Sequence, residues 1–230
     1  ICHHGHKSLP AALVRSYMRQ LLRALQVMHS QNILHGDVKS GNILINPDGT
    51  IKLIDFNRSL LDFKNKDHKP DSIGTTSFNA PELVLEYKRF DYSVDIWAAG
   101  MVMLHMIHGL VFMVPSDTCD EDGCDCVQHA FEQFGNMMGR PHKSLLRKWI
   151  LPDFYATLGS HTIVTSSMRP VPCAATRWNR VNCQTGSAQK LLTVETCDFL
   201  DRIFRWNPSD WANLTELLSH PYLNYHLRTL

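Results

Sequence analysis

Between Val94 and Ile107 the chain reads VDIWAAGMVMLHMI, apolar on nearly every side of a helical wheel. A helix with no polar face has nowhere to go but the middle of a fold, so this segment must be covered on all sides by the rest of the chain. It is too short and too interrupted to span a bilayer: the apolar run extends to Val114 only across His105, His108 and Gly109. Met101, Met103 and Met106 lie within it and read as core filler rather than as ligands.

The elements that could cover it are legible on both sides. Leu13, Tyr17, Leu21 and Leu25 recur every four residues, with Val14, Met18, Leu22 and Met28 beside them, which predicts an amphipathic helix over residues 9–29. Ser8 is the expected N-cap, and Pro10 suits the first turn. Two short β-branched runs, Ile43–Ile45 and Ile51–Ile54, flank Asn46-Pro47-Asp48-Gly49 and predict one small hairpin. Farther on, Cys197, Leu200, Ile203 and Phe204 mark an amphipathic helix ending before Pro208; Leu214, Leu217 and Leu218 mark a last one stopped by Pro221. A short helix is expected within residues 127–138. Residues 115–190, acidic and cysteine-bearing at first and rich in Pro, Ser, Thr and Gly later, read as an irregular insert.

Composition narrows the function classes. A net charge of +1 over 230 residues argues against a general nucleic-acid binder, and no signal peptide or membrane span is expected. Seven cysteines, an odd number without a secretory signal, point to reduced thiols in the cytoplasm or nucleus. Cys119, Cys124, Cys126 and His129, with Cys173 and Cys183, could hold zinc, but C-x4-C-x-C-x2-H matches no standard ligand spacing and reduced thiols are the expectation. Cys2, His3, His4 and His6 read as a solvated terminus.

Chemistry concentrates around the hairpin. Asp37 and Asn42 precede it and Asp55 follows it, so an antiparallel pairing brings Asn42 and Asp55 together as hard oxygen ligands suited to Mg2+. Asp37 is then placed to accept a proton from a hydroxyl nucleophile, and Lys39 to steady a transferring phosphoryl group. Taken singly, each reads better as a loop cap or a strand end.

Together they form a pattern. HGDVKSGNILI followed by LIDFN resembles the catalytic and metal-binding loops of the eukaryotic protein kinases; GTTSFNAPE is similar to the end of their activation segment, DYSVDIWAAG to the buried helix, and RWNPSDWANLTELLSHPYL to the closing helices. The resemblance runs in order over nearly the whole chain. It implies an α+β, protein-kinase-like fold, predominantly helical with one small hairpin, filling residues 1–230 as a C-terminal lobe. It also implies a serine/threonine kinase using ATP and Mg2+. Asp37 would be the catalytic base and Lys39 the contact to the γ-phosphate. Asn42 and Asp55 would hold magnesium, and Thr75 would pack against Asp37 and Lys39 where protein substrate lies. The Y-x-x-Q-L-L helix and MMGRPHKSLL resemble the group containing cyclin-dependent, MAP and pre-mRNA-processing kinases, although that group carries Arg where this chain has Asn79.

Departures from the pattern set a rival expectation. No Gly-rich loop, V-A-I-K-type lysine or partner glutamate precedes the first helix, and the chain opens on Ile1, as a fragment would. Gly36 stands where the family places an arginine that pairs with a phosphorylated activation loop. Asn57 replaces the last glycine of D-F-G, a change that tolerance of left-handed backbone would soften. Trp211 occupies the place of an arginine that pairs with Glu82. A kinase-shaped module that binds a protein partner without catalysis is the alternative, and a regulatory partner is compatible with either.

Overall fold

The computed structural model describes residues 8–65, 73–84, 90–109, 133–135, 137–139 and 192–224. Helix α1 spans Ala11–Ser30, strand β1 Ile33–Leu34, β2 Ile43–Ile45, β3 Ile51–Leu53 and β4 Leu60–Leu61. Helix α2 is a single turn, Pro81–Val84, followed by α3 Ser93–His108, α4 Val194–Ile203 and α5 Leu214–Ser219. No helix among the described residues is long and apolar enough to cross a membrane.

Helix α3 is the centre, as its sequence requires. Thirteen of its residues are buried, from Val94 to His108, and α1, α4 and the turn at Thr76–Phe78 pack around it. Trp97 is fully buried, with ring centroids at 4.8 Å to Phe204, 5.3 Å to Trp211 and 5.5 Å to Phe134. Gly100 is what lets α4 come so close: a Cβ there would stand 2.7 Å from Ile203 Cγ2 and 2.8 Å from Phe204 Cζ. Gly109, at φ 73°, ends the helix in left-handed geometry. Helix α1 buries Val14, Tyr17, Met18, Leu21, Leu22 and Leu25 on one face, matching the four-residue repeat.

Two sequence expectations change. Ser8 does not cap α1: Pro10 holds the N-cap position without a side-chain bond, and its carbonyl accepts from Leu13 and Val14. The hairpin is also not alone. The predicted pair β2–β3 forms, antiparallel with Ile43 opposite Leu53, but β1 and β4 make a second two-stranded sheet, Ile33 opposite Leu61. Strands of two residues carry no alternation to read. What joins them is Asn32, at φ 59°: its carbonyl accepts from Phe63 N (3.1 Å), its amide donates to Asp62 Oδ1 (2.9 Å), and its Oδ1 accepts from Tyr92 Oη.

The β2–β3 hairpin is held to α1 by one side chain. Gln20 donates to Gly49 O (3.1 Å) and accepts from Ile51 N (3.0 Å), gripping the turn between them. The closing helices follow their caps: Thr193 accepts from Thr196 N at α4, and Asn213 with Glu216 forms a reciprocal capping box at α5. Of the expected helix over 127–138, residues 133–135 and 137–138 are helical. The insert over 115–190 and the cluster Cys119–His129 lie, apart from those few residues, outside the described residues, as do Cys173 and Cys183. Among the described residues no group of three or more metal-ligating side chains of the His, Cys, Asp and Glu types converges.

Candidate active site

The loop between β1 and β2 is built on a buried carboxylate from the core. Asp95, in the first turn of α3 and 1% exposed, accepts from His35 N (2.9 Å) and His29 Nε2 (2.9 Å) on Oδ2 and from Gly36 N (3.0 Å) on Oδ1. Two consecutive backbone N–H groups with no helix or sheet partner are thus satisfied. His35 sets the next residue. Its Nδ1 accepts from Asp37 N (3.2 Å), which leaves the Nε2 proton to donate to Ile54 O (3.3 Å); burial pushes its pKa down and keeps the ring neutral. Replacing Asp95 by Asn should therefore lower stability by about 3 kcal/mol, because an amide turns one N–H toward a buried donor and removes the charge from the other bonds. The denaturant midpoint measures it, and a change below about 1 kcal/mol would contradict the anchor.

So positioned, Asp37 is buried and meets three side chains. Thr75 Oγ1 donates to Oδ1 (2.6 Å), Lys39 Nζ donates to Oδ2 (2.7 Å), and Asn42 Nδ2 donates to Oδ2 (3.3 Å) and to the Asp37 carbonyl (2.9 Å). Lys39 Nζ also donates to Thr75 Oγ1 (3.0 Å), closing a three-member ring. Burial pushes the Asp37 carboxyl up, but the Lys39 and Thr75 bonds with the Lys39 and Arg58 charges outweigh it and hold it below the usual carboxylate range. Asp37 is therefore an ionised acceptor with the Lys39 ammonium bonded beside it.

Asn42 and Asp55 lie at the open end of the hairpin, where Ile54 N, one residue before Asp55, donates to Asn42 O (2.9 Å). The Asn42 amide nitrogen is engaged by Asp37, which leaves its Oδ1 as the atom for a cation. Asp55 is exposed and sits at φ 66°, a left-handed conformation that Asp tolerates better than most residues. The softening expected at Asn57 falls instead on Asp55: Asn57 is not among the left-handed residues, and with Arg58 it forms the middle of a turn closed by Ser59 N to Phe56 O (3.0 Å). The donor types suit Mg2+, with one amide oxygen and one exposed carboxylate. Leu44, 50% exposed two residues after Asn42, and Phe56, tilted against His35 with ring centroids at 5.1 Å, are exposed apolar side chains of this region.

Some of this was not visible in advance. Ser40 is buried and bonds His105 Nδ1 of α3 (2.7 Å), fixing the loop from its far side. Arg58 reaches the Gly74 carbonyl, and its sequence signal was only a cation directly after D-F-N. Trp211, in the expected arginine position, stacks on Trp97 and donates from Nε1 to Arg205 O (2.7 Å). Glu82 is left with both carboxylate oxygens buried and without a hydrogen-bond partner among the described residues.

The protein kinase domain family matches residues 2–223, and the chain belongs to that family. Among its relatives, the mitogen-activated protein kinase MPS1 of Pyricularia oryzae is 24% identical over 220 residues, covering 94% of this chain and 47% of the relative. The mitogen-activated protein kinase HOG1 of Kluyveromyces lactis is 26% identical over 223 residues, 96% of this chain and 44% of the relative. The serine/threonine kinase NLK of Caenorhabditis briggsae is 25% identical over 211 residues, 91% and 28%. The similarity to MAP kinases agrees with the group indicated by the first helix and MMGRPHKSLL. The chain spans less than half the length of each of these relatives.

Proposed function

We propose that residues 1–230 are the C-terminal lobe of a protein serine/threonine kinase, one that moves the γ-phosphoryl of ATP to Ser and Thr hydroxyls of a protein substrate. The domain on this reading carries an irregular insert over 115–190. The observation that carries it is the Asp37 carboxylate, kept ionised while bonded to Lys39 and Thr75. In the reaction Asp37 accepts the substrate hydroxyl proton as the oxygen attacks. Lys39 swings from Asp37 toward the charge that develops on the phosphoryl oxygens. Asn42 Oδ1 and the Asp55 carboxylate would hold Mg2+, and ATP when bound supplies the phosphoryl group. Thr75 fixes Asp37 from the side on which the substrate chain lies.

A protein substrate, with a regulatory protein partner, fits this reading better than nucleic acid or lipid, given the near-neutral charge. Cytoplasm or nucleus is the compartment proposed from the reduced cysteines. The second reading, a docking module without catalysis, draws on Gly36, Asn57 and Trp211, which depart from the family pattern, and on Glu82, whose carboxylate has no hydrogen-bond partner among the described residues.

The test is transfer of labelled γ-phosphate from ATP to a generic Ser/Thr protein substrate by the full-length gene product, with phosphoamino-acid analysis. Label on Ser and Thr that vanishes with EDTA is expected. A folded full-length protein that transfers nothing would remove the enzyme and leave the docking module.

A further inference from the structure

Gly36 touches more than its sequence position implies. It sits at φ 75°, and a Cβ there would lie 2.5 Å from the carbonyl oxygen of Arg58. Its own carbonyl accepts from Gly74 N (2.6 Å), and Ser59 Oγ donates to the neighbouring His35 O (2.9 Å). The turn Phe56–Ser59 is therefore laid directly on the Asp37 loop, and the absence of a side chain at position 36 is what lets it lie there. From that turn the Arg58 guanidinium reaches across and donates to the Gly74 carbonyl. Gly74 is held on both sides of its Cα: its N–H by Gly36 and its C=O by Arg58. The next residue is Thr75, which bonds Asp37.

We propose that Arg58 is a positioning residue that closes the Gly74–Thr75 segment onto the Asp37 loop, in the role of an arginine–phosphate pair, so that the site is set without phosphorylation. This rests on the kinase reading of Asp37. Two observations carry it. The clamp consists of side-chain and main-chain groups already in contact, and position 36, where the resemblance places the phosphate-pairing arginine, has no room for any side chain while the turn is seated. Arg58 remains exposed, and its charge acts on Asp37 alongside that of Lys39.

The experiment uses the full-length protein, before and after treatment with a broad-specificity phosphatase, with Arg58→Gln and Arg58→Lys beside it. Amide hydrogen exchange at Gly74 reads the clamp whether or not the protein is active; kcat, KM and the pH–rate profile read its effect on the site. Phosphatase should change neither Gly74 protection nor kcat in the wild type. Arg58→Gln should speed Gly74 exchange about tenfold, the scale of one charge-assisted bond. It should lower kcat more than it raises the KM for ATP, and move the acid limb of the profile to higher pH, because a positive charge facing Asp37 is gone. Arg58→Lys should restore the acid limb and part of the protection. Loss of protection or rate on phosphatase treatment would overturn the proposal in favour of a phosphate-set segment. So would wild-type exchange in a folded Arg58→Gln. If wild type and Asp37→Asn are equally inert, the kinase reading fails, and Gly74 exchange still decides whether Arg58 is the clamp.

Discussion

Asp37→Asn in the full-length protein should lower phosphoryl transfer by roughly two to four orders of magnitude while leaving the protein folded. The amide keeps the size of the carboxylate and one acceptor oxygen, so either Thr75 or Lys39 retains its bond. What disappears is an ionised oxygen able to take the substrate proton, and an amide cannot replace it at any working pH. Binding of nucleotide and protein substrate should change far less, since Asn42 and Asp55 supply the proposed metal oxygens from the neighbouring hairpin. The split between kcat and KM is the measurement. A variant that keeps more than about a tenth of wild-type kcat would show that Asp37 is not the proton acceptor.

The second large effect lies away from the reacting groups. Glu82 is buried with no side-chain hydrogen-bond partner among the described residues, and burial, opposed by its own backbone N–H and helped slightly by the Asp91 charge, raises its pKa from 4.5 to about 8. The folded state therefore holds a proton that the unfolded state releases between those values, so stability falls as pH rises. The contribution is fully present below about pH 4.5 and gone above about pH 8. At about 1.4 kcal/mol per pH unit the whole change approaches 5 kcal/mol. Glu82→Gln, neutral throughout, should remove that slope. The two proteins should unfold alike near pH 5, and the variant should be more stable by several kcal/mol near pH 8.5. Histidines common to both cancel in the difference. A difference that stays flat across that range would mean Glu82 has found a counter-charge. At neutral pH its proton, rather than an ion pair, meets most of the cost that the loss of an arginine at position 211 would otherwise impose.

The sequence showed the core and the site to different depths. Helix α3 was unmistakable because a helix apolar on all sides has one solution, and α1 because its repeat leaves a single face to bury. The β2–β3 hairpin followed from its turn residues. The β1–β4 pair did not, since it depends on Asn32 linking residues that are near only after folding. In the same way Asp37, Lys39, Asn42, Asp55 and Thr75 were nominated by type and order. Their ring of bonds depends on His35 and Asp95, sixty positions apart, arriving together. Arg58 escaped notice because its partner is a carbonyl, and a carbonyl leaves no mark in the sequence. Left-handed backbone was expected at Asn57 rather than at Asp55 because a replaced glycine is visible in a sequence and a backbone torsion is not.

Asp95 belongs at once to the interior of the fold and to the loop that bears Asp37. The loop's main chain is fastened to the helix at the centre of the described core. A substitution that tilts α3, however remote, is transmitted as a displacement of the proton acceptor.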